Sequence, residues 1–169
     1  MVRLRKIEPS DLPFLYQWEN DASVWADGAN HNPLSQQDLR DYIASTTGDI
    51  YRDGQLRLII ESNSEAVLQQ SGHTTYGCID LFDFDPRNRR AAIGMYIAPE
   101  HRGKGVGRQA LEALEDYAFG HLNLRVLYAV IATDNIPCSS LYRSAGYTPS
   151  SPLSAWTLES DAVLWLKTK

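Results

Sequence analysis

The run Arg102-Gly103-Lys104-Gly105-Val106-Gly107, between an apolar strand-like stretch and a helix-like one, has the residue types and spacing of a phosphate socket. Glycines at 103, 105 and 107 let the main chain pass close to a ligand with no Cβ in the way. The first-turn N–H groups of the helix that follows have no partner inside it, and that end of the helix is partially positive. Arg102, Lys104 and Arg108 add cations around the run, which suits a phosphate or diphosphate group. A surface glycine turn with solvated cations would use the same residues. Two common phosphate loops are excluded by spacing. Counting from Gly103, the sixth position of a dinucleotide fingerprint is Arg108 rather than glycine, and Asp134 lies 31 residues away, too far for a ribose partner. No Gly-x-x-x-x-Gly-Lys-Ser/Thr run exists.

What the run does fit is Arg/Gln-x-x-Gly-x-Gly/Ala, through Arg102, Gly105 and Gly107. A second stretch, Asn135-Ile136-Pro137-Cys138-Ser139-Ser140-Leu141-Tyr142-Arg143-Ser144-Ala145-Gly146-Tyr147, fits Asn-x-x-Ala-x-x-Leu-Tyr-x-x-x-Gly-Phe/Tyr. With the lead-in Met95-Tyr96-Ile97-Ala98-Pro99-Glu100-His101, these motifs occur in order from about Tyr76 to Tyr147. In this the chain resembles the GNAT superfamily of N-acetyltransferases, in look nearest its ribosomal-protein and spermidine acetyltransferase branch.

That resemblance implies an acetyl-coenzyme A cosubstrate and no metal, with the pyrophosphate on Arg102, Gly103, Lys104, Gly105, Val106, Gly107 and Arg108. It places Met95, Tyr96 and Ile97 along the pantetheine arm and Asn135 beside the arm, where Asn135 also reads as a helix cap. Tyr142 matches the tyrosine that protonates the departing thiolate. A phenol with a pKa near 10 keeps its proton at neutral pH, as such a donor must. Helix packing is the other reading of Tyr142. Cys138 has no histidine neighbour evident in the sequence and does not read as a nucleophile.

The reaction implied is attack of a neutral primary amine on the thioester, with no covalent enzyme intermediate. An alkyl amine with a pKa near 10.4 is only about a thousandth neutral at pH 7.4, a handicap of roughly 4 kcal/mol. Ala92 stands where related enzymes often carry Glu, so one familiar base is missing. Asp80 and Asp83 are the nearest acids, and strand alternation puts them on opposite faces. Asp80 and Trp25 are the candidate acceptor contacts, while Trp18, Trp156 and Tyr96 could wall the acceptor or fill the core. Asn30-His31-Asn32-Pro33-Leu34 lacks the acids that spermidine acetyltransferases place there, so the acceptor stays open between a small amine and a protein N-terminus. A noncatalytic acyl-coenzyme A binding module is the alternative to an enzyme.

Composition bounds the rest. A chain of 169 residues with 43% hydrophobic and 22% charged residues suits one globular domain spanning 1–169. A net charge of −5 argues against nucleic-acid partners. No 18-residue apolar run or secretion signal is present, so no membrane partner and a cytoplasmic location are expected. Members of the family often dimerise, which makes a homodimer an expectation of the resemblance with no interface readable here.

These groups need a mixed α+β scaffold to position them. Val2–Ile7, Leu56–Glu61, Tyr76–Phe84, Arg90–Ala98, Val126–Ala132, Ala155–Leu158 and Ala162–Lys167 read as strands. Helices are expected after Ser10, after the capping box Ser35-x-x-Asp38, after the glycine loop up to Gly120, and from Asn135 to Gly146. The stretch Asp21–Pro33 reads as loop or short helix, and Glu61–Thr75 as a hairpin loop. Uninterrupted apolar sequence from Val126 to Ala132 predicts a strand covered on both faces. The resemblance implies a central, mostly antiparallel sheet with flanking helices, in which two parallel strands splay and the cosubstrate lies between them.

Overall fold

The computed structural model of the chain describes residues 1–21, 32–63, 74–157 and 160–169. Its strands are β1 (Val2–Lys6), β2 (Leu56–Ser62), β3 (Thr75–Asp85), β4 (Arg90–Ile97), β5 (Val126–Ala132), β6 (Thr148–Leu153) and β7 (Ala162–Thr168). They form one sheet in the order β1-β2-β3-β4-β5-β7-β6. All neighbouring pairs are antiparallel except β4 and β5, whose parallel pairing covers only Arg90–Ala92 against Val126–Tyr128. Beyond Ala92 and Tyr128 the two strands part. The remainder of β4 keeps β3 on one side and that of β5 keeps β7 on the other, so both present an edge to the gap.

Alternation along the strands sends side chains to two separate cores. Leu56, Leu58, Ile60, Ile79 and Leu81 pack with Val106, Ala110, Leu111 and Leu114 of helix α4 (Val106–Glu115). On the opposite face Ile59 and Cys78 meet Leu15 and Trp18 of α1 (Leu12–Glu19) and Leu39 and Ile43 of α2 (Gln36–Ser45). The remaining helices are the single turn α3 (Ile50–Asp53) and α5 (Ile136–Ser144). The expected capping box of α2 forms: Asp38 N–H donates to Ser35 Oγ at 3.0 Å and Ser35 N–H to the Asp38 carboxylate at 2.9 Å. At α1 the reciprocal bonds run between Glu8 and Asp11, upstream of the expected Ser10.

Three expectations change. Gly120 does not end its helix: after α4 the chain continues as π-helix over Asp116–His121, with Leu122 N–H bonded to the Tyr117 carbonyl at 3.1 Å, and Asn123 takes the left-handed turn at φ 51°. The sixth strand is Thr148–Leu153, not Ala155–Leu158. Its Pro149 and Pro152 are tolerated because it is the sheet's edge, while Ala155 sits in a turn at φ 49°. Finally, β5 is not covered on both faces by protein. Leu127, Ala129 and Ile131 are buried, whereas Val130 is 40% exposed.

Candidate active site

Where β4 and β5 part, a cavity of about 510 Å³ opens. Its walls include Met95 and Tyr96 from β4, Ala129–Ala132 from β5, and Asn135, Cys138 and Tyr142 from α5. Val130 is one of these wall residues, so the apolar second face of β5 borders an open space rather than a protein layer. Sequence alone does not distinguish the two coverings.

The glycine loop follows β4 and leads into α4, packed behind Met95 of the cavity wall. Gly103 and Gly105 adopt φ 69° and 77°, a backbone region that costs an L side chain roughly 1–2 kcal/mol. Gly105 is the residue on which α4 starts, so the orphan amides of its first turn follow directly. Gly107 is needed for closeness instead: a Cβ there would lie 3.3 Å from Leu141 and 3.5 Å from Met95. Its absence lets α4 settle between α5 and β4. The cations are arranged differently from the ring expected. Arg102 donates Nε–H to the Ile97 carbonyl at 2.8 Å and stacks over Tyr96, tying the loop back to the end of β4. Arg108 is spent on Glu112 at 2.7 Å and on Ser144 at the end of α5. Lys104 is exposed.

Met95 and Tyr96 line the cavity, while Ile97 is outside its lining and serves as the acceptor for Arg102. Asn135 both caps and lines: its side-chain oxygen accepts from Cys138 N–H at 3.2 Å at the head of α5, and the residue borders the cavity. Tyr142, two turns along α5, is 2% exposed, packs edge-on against Tyr147 at 4.9 Å and borders the cavity. Burial pushes its phenol well above the ordinary value, with smaller contributions from Cys138 and Glu115. The proton therefore stays on the oxygen through neutral and alkaline pH.

The far end of the cavity is built from side chains on the α1–α2 face. Arg57 and Asp80 are direct cross-strand partners in β2 and β3. The guanidinium donates Nε–H and Nη2–H to the two carboxylate oxygens, both at 2.8 Å. A third donor, Nη1–H, reaches Glu19 at the end of α1, and the guanidinium lies 5.8 Å from the Tyr42 ring centre. Burial works to lower the Arg57 pKa, but the charge of Asp80 and then Cys78, Asp80's hydrogen bond and Glu19 hold it well above the usual value. Trp18 and Tyr96 pack at 5.5 Å beside this group, and all of these residues border the cavity. Cys78 lies there too, its thiol pushed up to about 12 by burial first and then by Asp80.

Asp80 is thus brought to the site, in contact range of Gly94 on β4: a Cβ at Gly94 would sit 3.7 Å from its carboxylate. Asp83 is not. The β3–β4 register slips between Phe82 and Asp85, Asp83 takes φ 48°, and its carboxylate accepts the Tyr128 hydroxyl instead. Trp156 is 61% exposed and outside the lining, and Trp25 lies outside the described residues. Glu19, Tyr42 and Arg57 are cavity residues that the sequence reading missed. One signal was available: Arg57 interrupts Leu56-Arg57-Leu58-Ile59-Ile60 on the face shared with Ile59, and a covered arginine requires acids beside it. No group of three or more His, Cys, Asp or Glu residues able to hold a metal occurs among the described residues, and no described helix is long and apolar enough to cross a membrane.

Comparison with known proteins agrees with this geometry. The sequence matches the Acetyltransferase (GNAT) domain family over residues 2–148. It is 28% identical over 155 residues to spermidine N(1)-acetyltransferase of Escherichia coli K12, covering 90% of this chain and 75% of that protein. To the Vibrio cholerae spermidine N(1)-acetyltransferase it is 25% identical over 152 residues, covering 90% and 82%. A crystal structure of spermidine N-acetyltransferase from Vibrio cholerae in complex with CoA and spermine superposes with a TM-score of 0.85 at 23% identity, covering 99% of this chain and 95% of that one. A strand pair that parts over a ligand-sized cavity, a left-handed glycine loop opening a helix behind its wall and a match spanning most of the sequence make this chain a member of the GNAT acetyltransferase family, which moves the acetyl group of acetyl-coenzyme A to an amine.

Proposed function

We propose that the acceptor is a small primary alkyl amine carrying a further ammonium group, held at the Glu19–Arg57–Asp80 end of the cavity while its free amine meets the thioester. The observation that carries this reading is two carboxylates opposed by one guanidinium in the cavity wall. Each Asp80 oxygen accepts one bond from Arg57 and retains a further lone pair for an ammonium. Trp18, Tyr42 and Tyr96 supply faces that suit alkyl chains and cations. The relatives named for spermidine point the same way. The stretch whose missing acids argued against a polyamine falls partly outside the described residues, and the carboxylates found here come from α1 and β3 instead.

The cosubstrate's diphosphate rests on the amides from Gly103 to Arg108, and the pantetheine arm follows the open edge of β4 at Met95–Ile97 beside Asn135. The amine nitrogen bonds to the acetyl carbon and the carbon–sulfur bond breaks. One proton leaves nitrogen for water, one passes from the Tyr142 phenol to the thiolate sulfur, and the phenolate takes a proton back from water. Burial that raises the phenol disfavours an ionised thiolate beside it in the same direction, so the two acids shift together. Asp80, with both oxygens engaged by Arg57, acts by holding charge. Thiol release from acetyl-coenzyme A over a panel of mono-, di- and polyamines and peptide N-termini tests this. Diamines and polyamines should lead by about tenfold in kcat/KM, and a peptide N-terminus leading the panel would overturn the reading.

A further inference from the structure

At its carboxyl end α5 closes in a Schellman turn. Gly146 takes φ 88°, its N–H bonds to the Arg143 carbonyl at 3.0 Å, and Tyr147 N–H bonds to the Tyr142 carbonyl at 3.0 Å. The side-chain contact that goes with such a turn is the edge-on meeting of the Tyr147 and Tyr142 rings at 4.9 Å. Tyr147 thus holds both the main chain and the ring of Tyr142. The carbonyls of Ser144 and Ala145 take no part in the turn, and each is met by a cation. Arg108, in the first turn of α4, donates to Ser144, and Lys167 of β7 donates from Nζ to Ala145 at 2.8 Å. Lys167 also donates to Glu115, the last residue of α4, at 2.7 Å, and lies 5.6 Å from the Tyr147 ring centre.

The geometry points to Lys167 as a positioning residue for the proton transfer: braced by Glu115, it holds Ala145 and Tyr147, and through them keeps the Tyr142 phenol at the cavity wall. This rests on the reading of Tyr142 as the acid and adds what aims it. Stability alone does not account for the arrangement. Glu115 is 8% exposed, and neither its Oε1 nor the buried Tyr147 hydroxyl meets a hydrogen-bond partner among the described residues. A buried ion pair that leaves an oxygen without a donor is a poor device for stability, and apolar packing of similar volume serves a fold as well or better. What the pair does supply is a fixed point. The Tyr142 hydroxyl has no hydrogen-bond partner among the described residues, so the helix end and the Tyr147 ring decide where it points. Burial first, then Cys138 and Glu115, raise that phenol, and the Lys167 cation beside Glu115 opposes the last of them.

A double-mutant cycle with Tyr142→Phe separates this role from a merely structural one. The readout is thiol release from acetyl-coenzyme A with spermidine, or with the fastest amine of the panel above. Lys167→Met should lower kcat about tenfold, because a small misplacement of an acid slows the transfer, and leave the acetyl-coenzyme A KM within about threefold. In the Tyr142→Phe enzyme no phenol remains to be aimed, so Lys167→Met should then change kcat by less than about twofold. The same tenfold loss in both backgrounds overturns the proposal, as does a folded Lys167→Met enzyme with wild-type kcat. Should Lys167→Met fail to fold by thermal melt, Glu115→Gln goes through the same cycle, since it keeps the lysine and removes the charge that braces it. A loss of about threefold with the phenol and none without it supports the proposal, and an equal effect in both backgrounds overturns it. A Tyr142→Phe enzyme with unaltered kcat sinks the acid reading and this inference together, whereas equal losses in both backgrounds sink the inference and leave the acid standing.

Discussion

Two regions around the cavity are built by different means. At the glycine loop the groups proposed to hold the diphosphate are main-chain amides, presented by residues 103–108 in one short run, and the neighbouring arginines are turned to structural work on Ile97 and Ser144. At the Arg57 end the groups are side chains from α1, β2 and β3, 61 residues apart at the extremes, mostly buried and locked in an ion-paired fork. A diphosphate common to every turnover can be met by backbone geometry, which changes only where a residue that sets the turn is exchanged. An acceptor must be told from other amines, and that needs side chains.

Four measurements break or sharpen that contrast. The largest effect is in thiol reactivity. With Cys78 pushed up to about 12, roughly one thiol in ten thousand is ionised at pH 8, against about a quarter of an ordinary one. The thiolate appears only as pH climbs toward 12, so iodoacetamide at pH 8 should label Cys78 over about a thousandfold more slowly than a free cysteine. Peptide mass mapping checks it, and equal labelling would mean the Arg57 end is open to water. Next, Tyr142→Phe should lower kcat about 100-fold and leave the acetyl-coenzyme A KM unaltered, because the phenol lies between the ends and grips at neither. A drop in cosubstrate affinity instead would make it a packing residue.

Gly105→Ala and Asp80→Asn form the third test. The alanine Cβ meets only Gln109, at 3.9 Å, so its cost is the strained φ of 77°, about 1–2 kcal/mol, and acetyl-coenzyme A should bind about tenfold more weakly with acceptor KM unchanged. Asp80→Asn should do the reverse, raising diamine KM about tenfold alone. Crossed effects would show that the ends are not separate. The smallest change is expected from Arg108→Ala. With its guanidinium on Glu112 and Ser144, stability should fall by under about 1 kcal/mol and cosubstrate affinity by less than threefold. A tenfold affinity loss by calorimetry would return Arg108 to the phosphate.

The loop end was legible because its determinants are local: left-handed turns select glycine, a helix must begin where apolar spacing begins, and Asn135 caps α5 where the motif places it. Strand positions other than that of the sixth followed for the same reason. The slip between Phe82 and Asp85 was not legible, since no residue there announces a bulge, and it removed Asp83 from the site.

The sequence by itself determined the glycine turns ahead of α4, the strand alternation and the place of Tyr142 on its helix, because each depends on residues within one or two turns of one another. Only the tertiary structure decided that Arg57 opposes Asp80, that Glu19 joins them, and that the apolar second face of β5 borders an open cavity. Those outcomes depend on which strand lies next to which and in what register, a choice made by burying two cores at once rather than by any neighbouring residue.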